Sequence, residues 1–353
     1  MKSRKVLALS LGCPSGVGPE VSVLGATTER PWCSLVLVGD RRVVEQAATL
    51  RLGGRRIFEV TTRADMVALK AGDLGVYTGS TPLEGAVVPG KPDASAGRAQ
   101  LAWIDQACDL VASGVADAMI TGPVSKHAIA TSGAPESRDF LGHTEHLARR
   151  LGANEVVMAF ASKELTTALV TTHLRLADVP NAITKAAVAT ATYWLGRLLV
   201  ARGLEKPRLV VAALNPHAGE GGLLGDEEST AIGPGVAAAA ERLAKDQFDV
   251  SITSVLGAET AFRNSVGEGR RFDGVVAMYH DQATIPMKLV GFGEAVNVTL
   301  GLPIIRTSVD HGTGYDIAWR AKADPRGMIE AIDLAAELCH AERPPLSPRA
   351  SRS

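Results

Sequence analysis

The stretch Lys5-Val-Leu-Ala-Leu-Ser-Leu-Gly-Cys-Pro-Ser-Gly-Val-Gly-Pro-Glu20 decides the fold. Lys5 to Leu11 is an apolar run short enough for a buried strand. It passes straight into a turn with three glycines, Gly12, Gly16 and Gly18, and Pro19 suits the first turn of a helix. Strand, tight turn and helix in that order open an α/β fold. A signal peptide is the competing reading of this start, but the apolar run is too short and ends in a Gly/Pro turn. The turn does not meet the GxGxxG dinucleotide fingerprint, and by itself it reads equally as a plain strand-to-helix connection.

The same alternation continues outward. Apolar runs at Ser34–Val38, Ala118–Thr121, Val156–Ala159, Thr166–Thr171, Arg208–Leu214 and Gly274–Met278 predict buried strands. Helical periodicity covers Val43–Leu52, Gly97–Ser113, Thr184–Ala201, Gly235–Asp246 and Pro325–His340. The result is a largely parallel sheet covered by helices. At roughly 100–200 residues per domain, 353 residues make one large unit or two lobes. Aromatics are only 4% against 46% hydrophobic, so the core is built from aliphatic strands and Ala-rich helices. The 37 Lys+Arg against 38 Asp+Glu leave no basic excess for nucleic acid. The four cysteines have no CxxC spacing and suit free thiols in a reducing cytosol. No stretch approaches the ~18 apolar residues of a membrane span. The Pro- and Ser-rich tail after Arg343 is expected to fray.

Polar, Gly-rich clusters follow the predicted strands, where open α/β sheets bind ligands. Thr121-Gly-Pro-Val-Ser-Lys126 puts a lysine at a turn, fit for an anion or for solvent. In Gly142-His-Thr-Glu-His-Leu147, His143 and Thr144 are candidate substrate contacts, and His146 reads as structural or surface. Three segments each place one histidine just past an apolar run: His173, His217 and His280. One such histidine is an ordinary hydrogen-bonding residue. Three at equivalent positions suggest a catalytic metal site, which keeps coordination positions open. Asp281 follows His280 and is placed to orient it or to bind the ion. The richest stretch, residues 288–313, brings Lys288, Asn297 and Arg306 together among apolar residues, a set suited to an anionic small molecule. Its end, Asp310-His-Gly-Thr-Gly-Tyr-Asp-Ile-Ala318, reads as a polar loop opening a helix.

The segments TGPVSK, GHTEHLA, TTHLRLADVP, LNPHAGEGG, MYHDQ and GFGEAVNVTLGLPIIRTSVDHGT, in this order, resemble the 4-hydroxythreonine-4-phosphate dehydrogenase (PdxA) family of vitamin B6 synthesis. The resemblance covers about residues 5–340. It implies a two-lobed fold like isocitrate and isopropylmalate dehydrogenases, with residues 1–136 and 287–353 on the NAD side and residues 137–286 carrying the metal and dimer contacts. It implies NAD-dependent oxidation of a phosphorylated hydroxy amino acid followed by decarboxylation, with NADP as the alternative cofactor. Carried over residue by residue, the ligands of a divalent metal (Zn, Co, Mn or Mg) are His173, His217 and His280, shared across a homodimer. Substrate contacts are His143, Thr144, Lys288, Asn297 and Arg306, and NAD contacts are His311 and Asp316. Proton transfer falls to Lys288, Asp281 or a water at the metal.

The chain departs from the family pattern at Cys13, where an Asp is usual, at Glu259 in place of Asp, and at Tyr315, where smaller residues are usual. These positions bear on substrate identity and the cofactor side. A sister dehydrogenase for a related acid such as a threonate phosphate, a phosphate-binding acyltransferase and a metal hydrolase are the competing functions. The resemblance implies a cytoplasmic enzyme with no nucleic-acid or membrane partner.

Overall fold

The computed structural model of the chain describes residues 4–347. Its strands are β1 (Lys5–Ser10), β2 (Cys33–Val38), β3 (Ile57–Val60), β4 (Leu74–Tyr77), β5 (Ala118–Thr121) and β6 (Val157–Ala161). They continue with β7 (Thr166–Leu169), β8 (Arg208–Ala212), β9 (Ser251–Leu256), β10 (Gly274–Ala277), β11 (Val296–Leu300) and β12 (Ile305–Val309). Two compact units result. The first runs as far as Asn154 and resumes over Leu302–His340; the second is Glu155–Gly301 with Ala341–Leu346. The divisions at 136/137 and 286/287 expected from the sequence differ from these. The chain changes unit just before β6 and just after β11, so His143 and Thr144 lie in the first unit, Lys288 and Asn297 in the second.

In the first unit the strand order is β3-β4-β2-β1-β5-β12, and every pairing is parallel. β2, β5 and β12 are buried at every residue, as in a sheet covered on both faces. Flanking helices include Gly18–Thr27, Arg41–Leu52, Ala94–Ala112 and Arg326–Cys339. Two of these start on a capping carboxylate: Asp40 accepts from the Arg42 amide and Asp93 from the Ala96 amide. The connection from β1 to β2 runs one way along the sheet, and β5 lies on the other side of β1. The end of β1 and β5 is thus a topological switch point. Here two turns meet backbone to backbone. A Cβ on Gly12 (φ 77°) would sit 2.4 Å from the Pro123 carbonyl oxygen, and one on Gly122 would sit 2.5 Å from that of Leu11.

In the second unit the order is β11-β6-β7-β10-β8-β9. β6 runs antiparallel to both neighbours, and the rest are parallel. Phe160, Phe262, Phe272 and Met287 anchor its core.

The sequence reading missed β3, β4, β9, β11 and β12. β3 and β9 close the sheet order and carry exposed residues. β11 and β12 carry Asn297, Arg306, Thr307 and Ser308, which break the apolar run although the strands are mostly buried. The loop from Asp310 opens no helix, contrary to expectation: turns continue to Ala321, and the next helix starts at Arg326. Trp319 (φ 60°) and Ala321 (φ 57°) are left-handed and cannot extend a right-handed helix. Their amides instead donate to the Glu20 carboxylate at 2.6 and 3.1 Å. Glu20 is fully buried and pairs with Arg51 at 3.1 Å, so the carboxylate is satisfied where it sits. Of the tail expected to fray, residues 348–353 lie outside the described residues. Among the described residues no helix is long and apolar enough to cross a membrane.

Gly12→Ala should destabilise the chain by about 2–4 kcal/mol, because a methyl group there meets backbone that cannot move aside. Urea unfolding midpoints test this; a change below about 1 kcal/mol would mean the two turns can separate cheaply.

Candidate active site

The three strand-end histidines follow β7, β8 and β10, which lie in the order β7-β10-β8. Parallel register sets Leu169 of β7 level with Ala277 of β10. Just beyond, Thr171 donates twice to the Met278 carbonyl, from its amide at 3.1 Å and its hydroxyl at 2.7 Å. The two outgoing segments are therefore clamped, and the rings of His173 and His280 stand 5.4 Å apart at 41°. His280 Nδ1 lies 2.8 Å from Asp281 Oδ1. With the proton on Nδ1, Nε2 is left as a lone-pair donor, the usual arrangement behind a metal-ligating histidine. The His280 contact, aided by the Lys288 charge, holds the Asp281 carboxyl below the usual range. Asp281 and Lys288 are seven residues apart on the helix His280–Val290, so they share a face. Gln282 links β10 to β8: its side chain accepts from the Met278 amide at 2.7 Å and donates to the Ala213 carbonyl at 2.9 Å.

His217 begins a different structure. From His217 to Gly221 every φ is positive, between 44° and 80°, so the segment is a left-handed turn. Such a turn costs roughly 1–2 kcal/mol for each L residue in it. Glu228 anchors the two residues that lead into it. One oxygen accepts from the amides of Leu214 and Asn215 at 2.9 and 2.8 Å, and the other accepts from Asn215 Nδ2 at 3.0 Å. Gly219 allows this approach, since a Cβ there would lie 2.9 Å from Glu228 Oε2. Strain of this kind concentrates where geometry is functional. His217 itself is exposed. Among the described residues no group of three His, Cys, Asp or Glu gathers around one point, so His217 does not complete the His173–His280 pair within one chain.

The first unit holds a second set. Arg306 on β12 sits opposite Met119 of β5 and is 3% exposed. Its guanidinium donates to the Thr121 hydroxyl at 2.6 Å. Burial pushes its pKa down to about 10, with Glu145 pulling the other way, so it remains a desolvated cation at neutral pH. His143 opens the helix His143–Leu151, and its Nε2 is buried with no hydrogen-bond partner among the described residues. Its pKa is held well below the ordinary value, first by burial and then by Arg306, His146 and Lys126. A neutral imidazole with an unused nitrogen is ready to meet a ligand. Glu145 and Lys126 crowd Gly142: a Cβ there would lie 2.9 Å from Glu145 Oε2 and 3.5 Å from Lys126 Nζ, so the Glu145 side chain would have to shift. Thr144 follows in the same first turn. His146, one turn on, is buried and bonds Asp105 at 2.6 Å, so it is structural rather than surface. In the second unit, Asn297 is half-buried on β11 beside Phe160 of β6. His311 and Asp316 are exposed on the loop after β12, with His311 Nδ1 2.9 Å from the Gly312 carbonyl.

The profile of the family described as "Pyridoxal phosphate biosynthetic protein PdxA" matches residues 31–335. The chain belongs to this family. A protein of Desulfosudis oleivorans named 4-hydroxythreonine-4-phosphate dehydrogenase is 39% identical over 350 residues, 98% of this chain and 99% of that protein. A crystal structure of 4-hydroxythreonine-4-phosphate dehydrogenase from Klebsiella pneumoniae is similar with a TM-score of 0.81 at 34% identity, over 95% of this chain and 100% of that one. A terephthalate 1,2-cis-dihydrodiol dehydrogenase from Burkholderia xenovorans is similar at a TM-score of 0.64 and 30% identity, over 95% of this chain and 98% of that one. The PdxA family is the one the motifs pointed to, and the mostly parallel α/β architecture agrees with it.

Four supporting residues escaped the sequence reading. Glu20, Thr121, Glu228 and Gln282 act through long-range hydrogen bonds that no local spacing marks. Of these only Gln282 stood in a quoted motif next to a candidate ligand.

The lowered pKa of His143 has a pH signature. As pH falls through the unfolded value near 6.5, the unfolded chain takes up a proton that the folded chain refuses. Stability is thus complete above that value and lost below it, by up to about 1.4 kcal/mol per pH unit. His143→Gln should lose less stability than wild type between about pH 7 and about pH 5. Urea unfolding at both pH values decides it; parallel losses in the two proteins would remove this account of His143.

Proposed function

We propose that the chain is a metal-dependent, NAD-linked dehydrogenase that oxidises and decarboxylates 4-phosphohydroxy-L-threonine to 3-amino-2-oxopropyl phosphate in pyridoxal phosphate synthesis. The observation that carries this reading is the His173–His280 pair at the ends of neighbouring parallel strands in a chain of the PdxA family. Two imidazoles, one oriented by Asp281, suit a divalent ion of the zinc, cobalt, manganese or magnesium kind. Such an ion would supply Lewis acidity toward the substrate's oxygen, and NAD, or NADP in its place, the oxidising power.

We assign His173, His217 and His280 as the metal ligands, with one chain's set completed by a second copy. Large apolar side chains stand exposed near each of them in sequence: Leu174 and Leu176, Leu223 and Leu224, Ile285 and Leu289. Leu223 is 83% exposed and Leu289 80%, an unusual load for a surface left in water. A homodimer face across the second unit accounts for it. Arg306, Lys288, Asn297, His143 and Thr144 bind the substrate, with the desolvated Arg306 meeting its anionic end. His143, neutral at physiological pH, can donate or accept a hydrogen bond without adding charge. Lys288 and Asp281, on one helix face, are the proton-handling candidates. His311 and Asp316 contact the dinucleotide, which makes the first unit the cofactor side and the second the metal and dimer side. Free thiols at Cys13, Cys33, Cys108 and Cys339 suit the cytoplasm.

The similar structure named as a dihydrodiol dehydrogenase carries a different substrate in its name, which supports a second reading, a sister dehydrogenase. The substrate we propose for it is a related acid such as a threonate 4-phosphate. Purified protein should form NADH from 4-phosphohydroxythreonine and lose that activity with a chelator. NADH formation from the threonate phosphate alone would select the sister reading. Full activity without metal would favour an acyltransferase.

His217→Ala should abolish metal binding and turnover with the fold intact; normal turnover would remove the ligand assignment. Arg306→Lys keeps the charge but loses the fork, so KM for the phosphorylated substrate should rise about ten-fold with kcat little changed. Leu289→Glu should convert a dimer to monomers and abolish activity together; an active monomer in sedimentation and assay would refute the shared site.

A further inference from the structure

We propose that Tyr315 is a positioning residue for the dinucleotide side, its hydroxyl holding the loop after β12 against Cys13, which bridges the loops after β1 and β5. The inference rests on the reading that His311 and Asp316 contact the dinucleotide. β1, β5 and β12 are parallel neighbours, so their carboxyl ends stand side by side. The loop after β1 supplies Cys13, the loop after β5 supplies Pro123, and the loop after β12 supplies Tyr315 itself. Cys13 Sγ lies 3.5 Å from the Tyr315 hydroxyl. The Cys13 amide donates to the Pro123 carbonyl at 2.8 Å. Through Cys13 the phenol is thus joined to all three loops.

The loop that carries it has no helix or strand between Asp310 and Pro325. Its backbone is pinned at Val17, whose amide donates to the Thr313 carbonyl at 2.9 Å, and the Trp319 indole donates to the Pro14 carbonyl at 2.8 Å. Between these points the chain carries Tyr315 and the exposed Asp316, with His311 just before the first. Without the phenol contact this span would have to be ordered when a ligand binds, at a cost in affinity. Cys13 is fully buried, its amide donates to the Pro123 carbonyl at 2.8 Å and its carbonyl accepts from the Gly16 amide at 3.1 Å, so it is a fixed partner. Burial raises both groups, Tyr315 to about 12, so each keeps its proton at neutral pH and the contact is a neutral hydrogen bond.

Tyr315→Phe keeps the ring and removes the hydroxyl. Steady-state kinetics with NAD varied, together with calorimetric titration of NAD into the protein without substrate, read the effect. The expected result is a rise of about three- to ten-fold in both KM and Kd for NAD, as for the loss of one buried hydrogen bond, with kcat within about two-fold and substrate KM unmoved. Cys13→Ala removes the observed partner of the phenol, should give a rise in the same direction, and covers the case in which Tyr315→Phe folds poorly. Cys13→Ala combined with Tyr315→Phe should be no worse than Tyr315→Phe alone. Unchanged NAD binding in folded Tyr315→Phe overturns the inference, as does an equal loss in the NAD and substrate terms, which would mark a merely structural role. His311→Ala and Asp316→Ala separate the two layers. If both leave NAD binding unchanged, the dinucleotide reading falls and takes the inference with it. If they weaken it and Tyr315→Phe does not, the positioning role alone is wrong.

Discussion

Parallel pairing obliges every strand to deliver its following turn to the same end of its sheet, and in the first unit those turns must fit beside one another. The close approach of Gly12 and Gly122 makes the fit possible where β1 and β5 end. No side chain separates the two turns, so the loops after β1, β5 and β12 can share partners. Glu20, one turn into the helix after β1, then fixes the far end of the β12 loop through two amides and Arg51. The second unit meets the same obligation with different chemistry: Thr171 and Gln282 tie the ends of β7, β10 and β8, and the histidines ride on those tied ends.

The electrostatic design follows from burial. Arg306 lies on a strand buried along its length, where water cannot screen its charge. His143 nearby therefore stays neutral, because a second cation there would face Arg306, Lys126 and the loss of its own hydration. The same burial that makes the guanidinium costly to hold makes it effective toward an anion. The acid Glu145 is near enough to offset part of that cost.

The sequence made the strand–turn–helix logic legible because β1, β2, β5, β7, β8 and β10 are apolar runs ending in glycine-rich or polar turns. It concealed β11 and β12 because residues such as Asn297 and Arg306 looked like loop chemistry. The histidines could be singled out from their place after strands, yet nothing in their spacing marks His217 as the first residue of a left-handed turn. The segment leading into that turn is anchored by Glu228, eleven residues on, and Gly219 leaves the space that Glu228 occupies. Cys13 and Tyr315 stood out separately as departures from the family pattern. That they touch across 302 residues of chain is a fact of the sheet order, which no local reading supplies.

The left-handed turn at His217 has a consequence for assembly. Its entry is fixed by Glu228 on the Leu214 and Asn215 amides, and the turn itself is tied by the Ala218 amide to the Asn215 carbonyl and the Leu224 amide to the Gly219 carbonyl. A ligand presented on such a stiff, exposed platform needs little further ordering when two chains meet. In the shared-site reading, subunit association therefore begins from a surface already set, and encounters need only correct orientation rather than a search through loop conformations.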